Sequence, residues 1–136
     1  MIISLSVRGV IQYLHLLKTV ASTSGKMSTS SIFGTSRWME RFSTARGEER
    51  CDFLLINDES TPKTSYYIEL KGSDLPKAIR QIENTIKLLS PSLPGYVVLR
   101  RIVYHTGSHN VHASEVLRWK AKYKAVVKER EYSENI

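Results

Sequence analysis

Apolar positions follow one spacing and then another along this chain, and each change of spacing marks an element. Ile3, Val7, Val10, Leu14, Leu17 and Ala21, widened by Ile11, fall on one helical face, which predicts a helix over residues 1–21 that Ser22-Thr23-Ser24-Gly25 would end. The small, polar stretch Ser28 to Thr35 reads as a loop. A short strand through Arg37, Trp38, Met39, Glu40 and Arg41 follows, with a short helix over Ser36 to Phe42 as the competing reading, and Arg46-Gly47-Glu48 would turn the chain onward. Cys51 to Asn57 is a strand by composition, and the turn formers Asp58 to Lys63 join it to a second strand ending at Lys71-Gly72. Leu75, Ala78, Ile79, Ile82, Ile86 and Leu89 return to helical spacing, with Ser73 or Asp74 as cap and Pro76 in the first turn. Ser90 to Gly95 breaks that helix. Tyr96 to Tyr104 is apolar on both faces, as a central parallel strand would be. A short helix over Glu115 to Tyr123, with Val116, Trp119 and Tyr123 inward, and a last strand over Ala125 to Tyr132 complete the pattern.

The hairpin is where chemistry enters. Side chains two apart on a strand share a face, so Glu69 and Lys71 point the same way as Tyr67, while Tyr66, Ile68 and Leu70 form the apolar, core-facing side. Pairing Asn57 with Thr64 across the turn places Asp52 directly opposite Glu69. Two carboxylates so close repel, and a cation between them would relieve the repulsion. Mg²⁺ suits that place, because it takes oxygen ligands and is commonly held by one or two carboxylates together with water and substrate phosphate. Lys71, one pleat along, could orient a water. The simpler alternative is a solvated Glu-Lys pair on an exposed sheet face, which contributes little. On the helical wheel of the next element, Asp74, Ala78, Gln81 and Thr85 line one edge of the apolar stripe, so Gln81 can reach the end of the preceding strand.

Asp52, then Glu69-x-Lys71 on the next strand, then a helix carrying Gln81, resemble the PD-(D/E)XK nuclease superfamily, which has the restriction-endonuclease-like fold and includes Holliday-junction resolvases. The resemblance covers residues 51 to about 104. It implies an α/β domain with an αβββαβ core, a central mixed sheet flanked by helices, followed here by a C-terminal helix and edge strand. It implies that Asp52 and Glu69 bind Mg²⁺, with Mn²⁺ able to substitute, that Lys71 positions or activates the attacking water, and that Gln81 is an auxiliary active-site residue. Cys51 stands where many members have proline. Many members also carry an acid on the first helix, whereas the first 39 residues here contain no Asp or Glu. Gln12, His15, Glu40 or Glu49 would have to complete the site.

Composition narrows the partners. A chain of 136 residues is read as one domain with a single core. Its net charge of +7 favours an anionic partner, most simply nucleic acid. Exposed Arg118, Lys120, Lys122 and Lys124 on the last helix could neutralise phosphates, and Arg100 or Arg101 could approach one, although an inward ion pair suits those two arginines equally. His105, His109 and His112 are too loosely spaced, and too far from the single cysteine, for a zinc site. That cysteine, in an apolar strand, reads as a buried thiol in a reducing, intracellular, cytoplasmic setting. The segment 1–21 carries Arg8, His15 and Lys18 and is too polar for a membrane span. The expected activity is a Mg²⁺-dependent endonuclease acting on duplex or branched DNA, functioning as a homodimer. The alternative is a nuclease-like module without catalysis, binding nucleic acid or a protein in the manner of an immunity partner.

Overall fold

The computed structural model describes residues 2–8, 11–17, 36–39, 49–71, 73–105 and 110–136. Five strands form a mixed sheet in the order β3-β4-β5-β6-β7, where β3 is Ser36–Met39, β4 Phe53–Asn57, β5 Thr64–Lys71, β6 Val97–Tyr104 and β7 Val126–Glu129. The first three run antiparallel to their neighbours, and β5, β6 and β7 run parallel. Helix α1 (Leu75–Leu89) connects β5 to β6, and α2 (Ser114–Tyr123) connects β6 to β7. A second, antiparallel sheet has the order β2-β1-β8, from Ile2–Arg8 (β1), Ile11–Leu17 (β2) and Glu131–Asn135 (β8). Among the described residues no helix is long and apolar enough to cross a membrane.

Strand alternation divides the buried side chains between two cores. Leu54, Ile56, Tyr67, Ile102 and Tyr104 pack with Leu75, Ala78, Ile79 and Ile82 of α1 and Val116 and Trp119 of α2. Leu55, Tyr66, Ile68, Leu70 and Val103, on the opposite face, pack with Ile3, Leu5 and Val7 of β1. The five-stranded sheet is therefore the middle of three layers. Both faces of β5 are buried, so the expectation of one apolar face and one polar face is replaced by two covered faces, with Glu69 2% exposed on the helix side.

The N-terminal helix expected over residues 1–21 is corrected to two antiparallel strands, paired from Ile2↔Leu17 to Arg8↔Ile11. Ile3, Leu5 and Val7 satisfy a period of two as well as Ile3 and Val7 satisfy a helical one, and each is at most 1% exposed. Tertiary context decides: the face of the main sheet away from α1 and α2 needs an apolar cover, and β8 supplies β1 with a second partner. Within the described residues the αβββαβ order thus lacks its leading helix there, while β3, β4, β5, α1 and β6 follow in the expected sequence.

The single last strand is also corrected, to β7 and β8. Arg130 adopts φ 64°, and its N–H bonds the Tyr104 carbonyl while its own carbonyl accepts from Val7 N. The chain turns there from one sheet into the other. Exposed Lys128 and Glu129 remain on β7, the edge of the main sheet. The hairpin register is the expected one, from Asn57↔Thr64 to Phe53↔Ile68. Helix α1 is capped by Asp74, whose carboxylate accepts from Lys77 N at 3.0 Å.

Candidate active site

At the open end of the hairpin, side chains take over from the backbone ladder, whose last pair is Phe53↔Ile68. Asp52 N donates to Glu69 Oε2 at 2.9 Å, and Leu70 N donates to Asp52 Oδ2 at 2.9 Å. Each carboxylate accepts an amide beside the other. These peptide dipoles are the first answer to the repulsion that opposition in register creates, and they hold the two acids at one level of the sheet.

Lys71 brings a positive charge to Glu69. Its Nζ lies 3.6 Å from Glu69 Oε1 and donates to Gln81 Oε1 at 2.7 Å. Gln81, 8% exposed in α1, in turn donates through Nε2 to the Arg50 carbonyl at 3.2 Å. Oxygen toward an ammonium and nitrogen toward a carbonyl is the one amide orientation that satisfies both neighbours. Asp52, Glu69, Lys71 and Gln81 are thus linked in one network at the carboxyl end of β5, where open α/β sheets place ligands.

The electrostatics follow from burial. Removal from water pushes the Glu69 carboxyl up from its ordinary 4.5 to about 8, and the Asp52 charge pushes the same way, while Lys71 opposes both. The Cys51 thiol beside them is buried and raised to about 12, chiefly by loss of solvent, so it stays a neutral core group.

A hard divalent cation fits this donor set. Asp52 and Glu69 present carboxyl oxygens at one level of the sheet, and a bound cation would favour the charged form of Glu69 that burial and Asp52 oppose. Asp52 and Glu69 are the residues that would hold it. Among the described residues no group of three or more His, Cys, Asp or Glu converges, so substrate oxygens and water would complete the shell. Glu49, a candidate third acid, is instead directed at Lys77 (3.9 Å) and Arg80 (3.8 Å) on the exposed side of α1. Glu40 and His109 lie outside the described residues, as do the side chains of Gln12 and His15.

The other candidates lie apart. Arg100 and Arg101 point to opposite faces of β6. Arg100 pairs with Glu83 at 2.6 Å and stacks on Tyr123, and Arg101 pairs with Glu134 at 2.6 Å across to β8. Of their two readings, the inward ion pair is what the geometry shows, and neither arginine is more than 8% exposed. Glu83 also accepts from Trp119 Nε1 at 2.9 Å, so its pair with Arg100 ties α1, α2 and β6 together. Arg118, Lys120 and Lys122 are exposed on α2. Thr85 joins the network although the sequence marked it only as a stripe-edge residue: Cys51 N donates to its hydroxyl at 2.8 Å. Comparison with family models, curated proteins and solved structures finds no match to this chain.

Proposed function

We propose that this chain is a metal-dependent nuclease of the PD-(D/E)XK type that hydrolyses DNA phosphodiester bonds. The observation that carries the reading is the convergence of Asp52, Glu69, Lys71 and Gln81 in one hydrogen-bonded network at the carboxyl end of β5. Asp52 and Glu69 would hold Mg²⁺, or Mn²⁺ in its place. When bound, the ion supplies Lewis-acid polarisation of a phosphate oxygen and a lower pKa for coordinated water. Lys71, kept at its post by Gln81, orients the attacking water and stabilises the negative charge that grows on the phosphate in the transition state. Gln81 fixes the Lys71 ammonium and, through Arg50, the segment that leads into Asp52. Arg118, Lys120 and Lys122 attract the phosphate backbone without reading sequence. A homodimer would set two such sites about a two-fold axis, matching the symmetry of duplex or branched DNA.

A second reading has its own observation. Each carboxylate already accepts a backbone amide at 2.9 Å, a role that closes the hairpin without any chemistry. On that reading the chain is a nuclease-like module that binds nucleic acid or protein. The two separate in one experiment: supercoiled and branched DNA are incubated with the protein in Mg²⁺, Mn²⁺ or EDTA, beside Glu69→Gln and Lys71→Ala. The nuclease reading expects cleavage in either metal, none in EDTA, and loss by about 100-fold or more in each variant. Cleavage that survives both substitutions removes the assignment, and binding without cleavage in either metal favours the module.

A further inference from the structure

Asp52 lies one residue beyond the last backbone pair of the hairpin, so the β4–β5 ladder does not by itself set its position. Two side chains of α1 hold the segment that leads into it. Gln81 Nε2 donates to the Arg50 carbonyl, and the Thr85 hydroxyl accepts from Cys51 N at 2.8 Å. The hydroxyl also donates to the Gln81 carbonyl four residues back, at 2.7 Å. That internal bond uses the hydroxyl proton, so a lone pair is turned toward Cys51 N and cannot rotate away. Thr85 is 0% exposed, which shields the bond from bulk solvent.

We propose that Thr85 is a positioning residue for the cation site: through the Cys51 amide it sets how far Asp52 stands from Glu69. The proposal rests on the metal reading of Asp52 and Glu69. Its physical basis is that one helix edge grips both partners, since Gln81 holds Lys71 of β5 and, four residues on, Thr85 holds the chain entering β4. Releasing the second grip frees the Cys51 amide next to Asp52, while the bonds of Asp52 to the Leu70 amide and to the Glu69 carboxylate remain. The carboxylate pair would then lose its fixed spacing while every proposed ligand remained present.

The test compares Thr85→Val, which keeps shape and removes the hydroxyl, with Thr85→Ser, which keeps the hydroxyl. Mn²⁺ binding to DNA-free protein is read by electron paramagnetic resonance, thermal melting in EDTA reports the fold, and cleavage is followed separately. Loss of an outer-shell partner typically lowers metal affinity about 10- to 100-fold, and Thr85→Val is expected to fall in that range while Thr85→Ser stays within about threefold of wild type. Thr85→Val that melts lower yet binds Mn²⁺ like wild type overturns the proposal and leaves a purely structural hydroxyl. Wild-type protein that binds no Mn²⁺ overturns the metal reading itself and the positioning role with it. Should Thr85→Val not fold, Thr85→Cys, with a weaker acceptor of similar size, takes its place, and unchanged Mn²⁺ affinity there overturns the proposal equally.

Discussion

A carboxyl group that keeps its proton toward neutral pH leaves a signature in stability. Glu69 is raised from 4.5 to about 8, first by burial and then by the charge on Asp52. Between those values the folded chain carries a proton that the unfolded chain has released. Stability from this group is therefore fully present below the ordinary carboxyl value and is lost as pH rises through the folded one. In EDTA, the melting temperature of wild-type protein is expected to fall from pH 5 to pH 8, and Glu69→Gln, which keeps an oxygen for the Asp52 amide and cannot ionise, is expected to flatten that slope. Mn²⁺ should counter the loss increasingly over the same interval, because the ion takes the place of the proton. A wild-type slope identical to that of Glu69→Gln would remove Glu69 as its origin. At this scale the sequence was informative where side-chain direction follows from strand period, as for Glu69 and Lys71. It was silent where a bond depends on depth in the fold. Nothing in the residue order says that Thr85, rather than another stripe-edge residue of α1, meets the Cys51 amide.

Elements divide in the same way. The β4–β5 register could be read because a turn rich in Asp, Ser and Pro pins one end and alternation does the rest. Helix α1 could be read because its stripe runs for four turns without interruption and begins at a capping Asp74. β1 was misread because two apolar periods coincide over a short segment, and the surface that chooses between them is far away in sequence. Leu5 separates the alternatives. It is absent from the helical stripe that the spacing suggested, yet in the strand it is 0% exposed against Tyr66, Ile68, Leu70 and Val103. Leu5→Ala is expected to cost about 2–5 kcal/mol in urea unfolding, the range for a large side chain removed from a packed core. A cost within a few tenths of a kcal/mol would mean that β1 does not cover the sheet as described.

Across the whole molecule, charge and layering work together. Arg100 and Arg101 pair one-to-one with Glu83 and Glu134, which bind the helix layer and the second sheet to the central one, so these inward pairs leave the net charge of +7 unchanged. The exposed cations of α2 are left to act at a distance. Lys120→Ala with Lys122→Ala is expected to weaken DNA binding similarly for unrelated sequences and to lower the dependence of affinity on salt by about one phosphate contact per lysine removed. An unchanged salt slope would assign the DNA-facing surface elsewhere.

The reciprocal bonds between Asp52, Glu69 and the neighbouring amides also bear on how such a chain could change over time. The two acids form the final rung of the hairpin, so the residues that would bind the cation are also residues that fasten β4 to β5. Whether or not the proposed cleavage is retained, a descendant would fray at this end if either acid were replaced by an apolar residue. Selection for folding alone would then preserve two thirds of the acid-acid-lysine signature. Lys71, whose ammonium meets the Glu69 carboxylate and the Gln81 amide oxygen, is the position where loss of the proposed chemistry would first be written into the sequence.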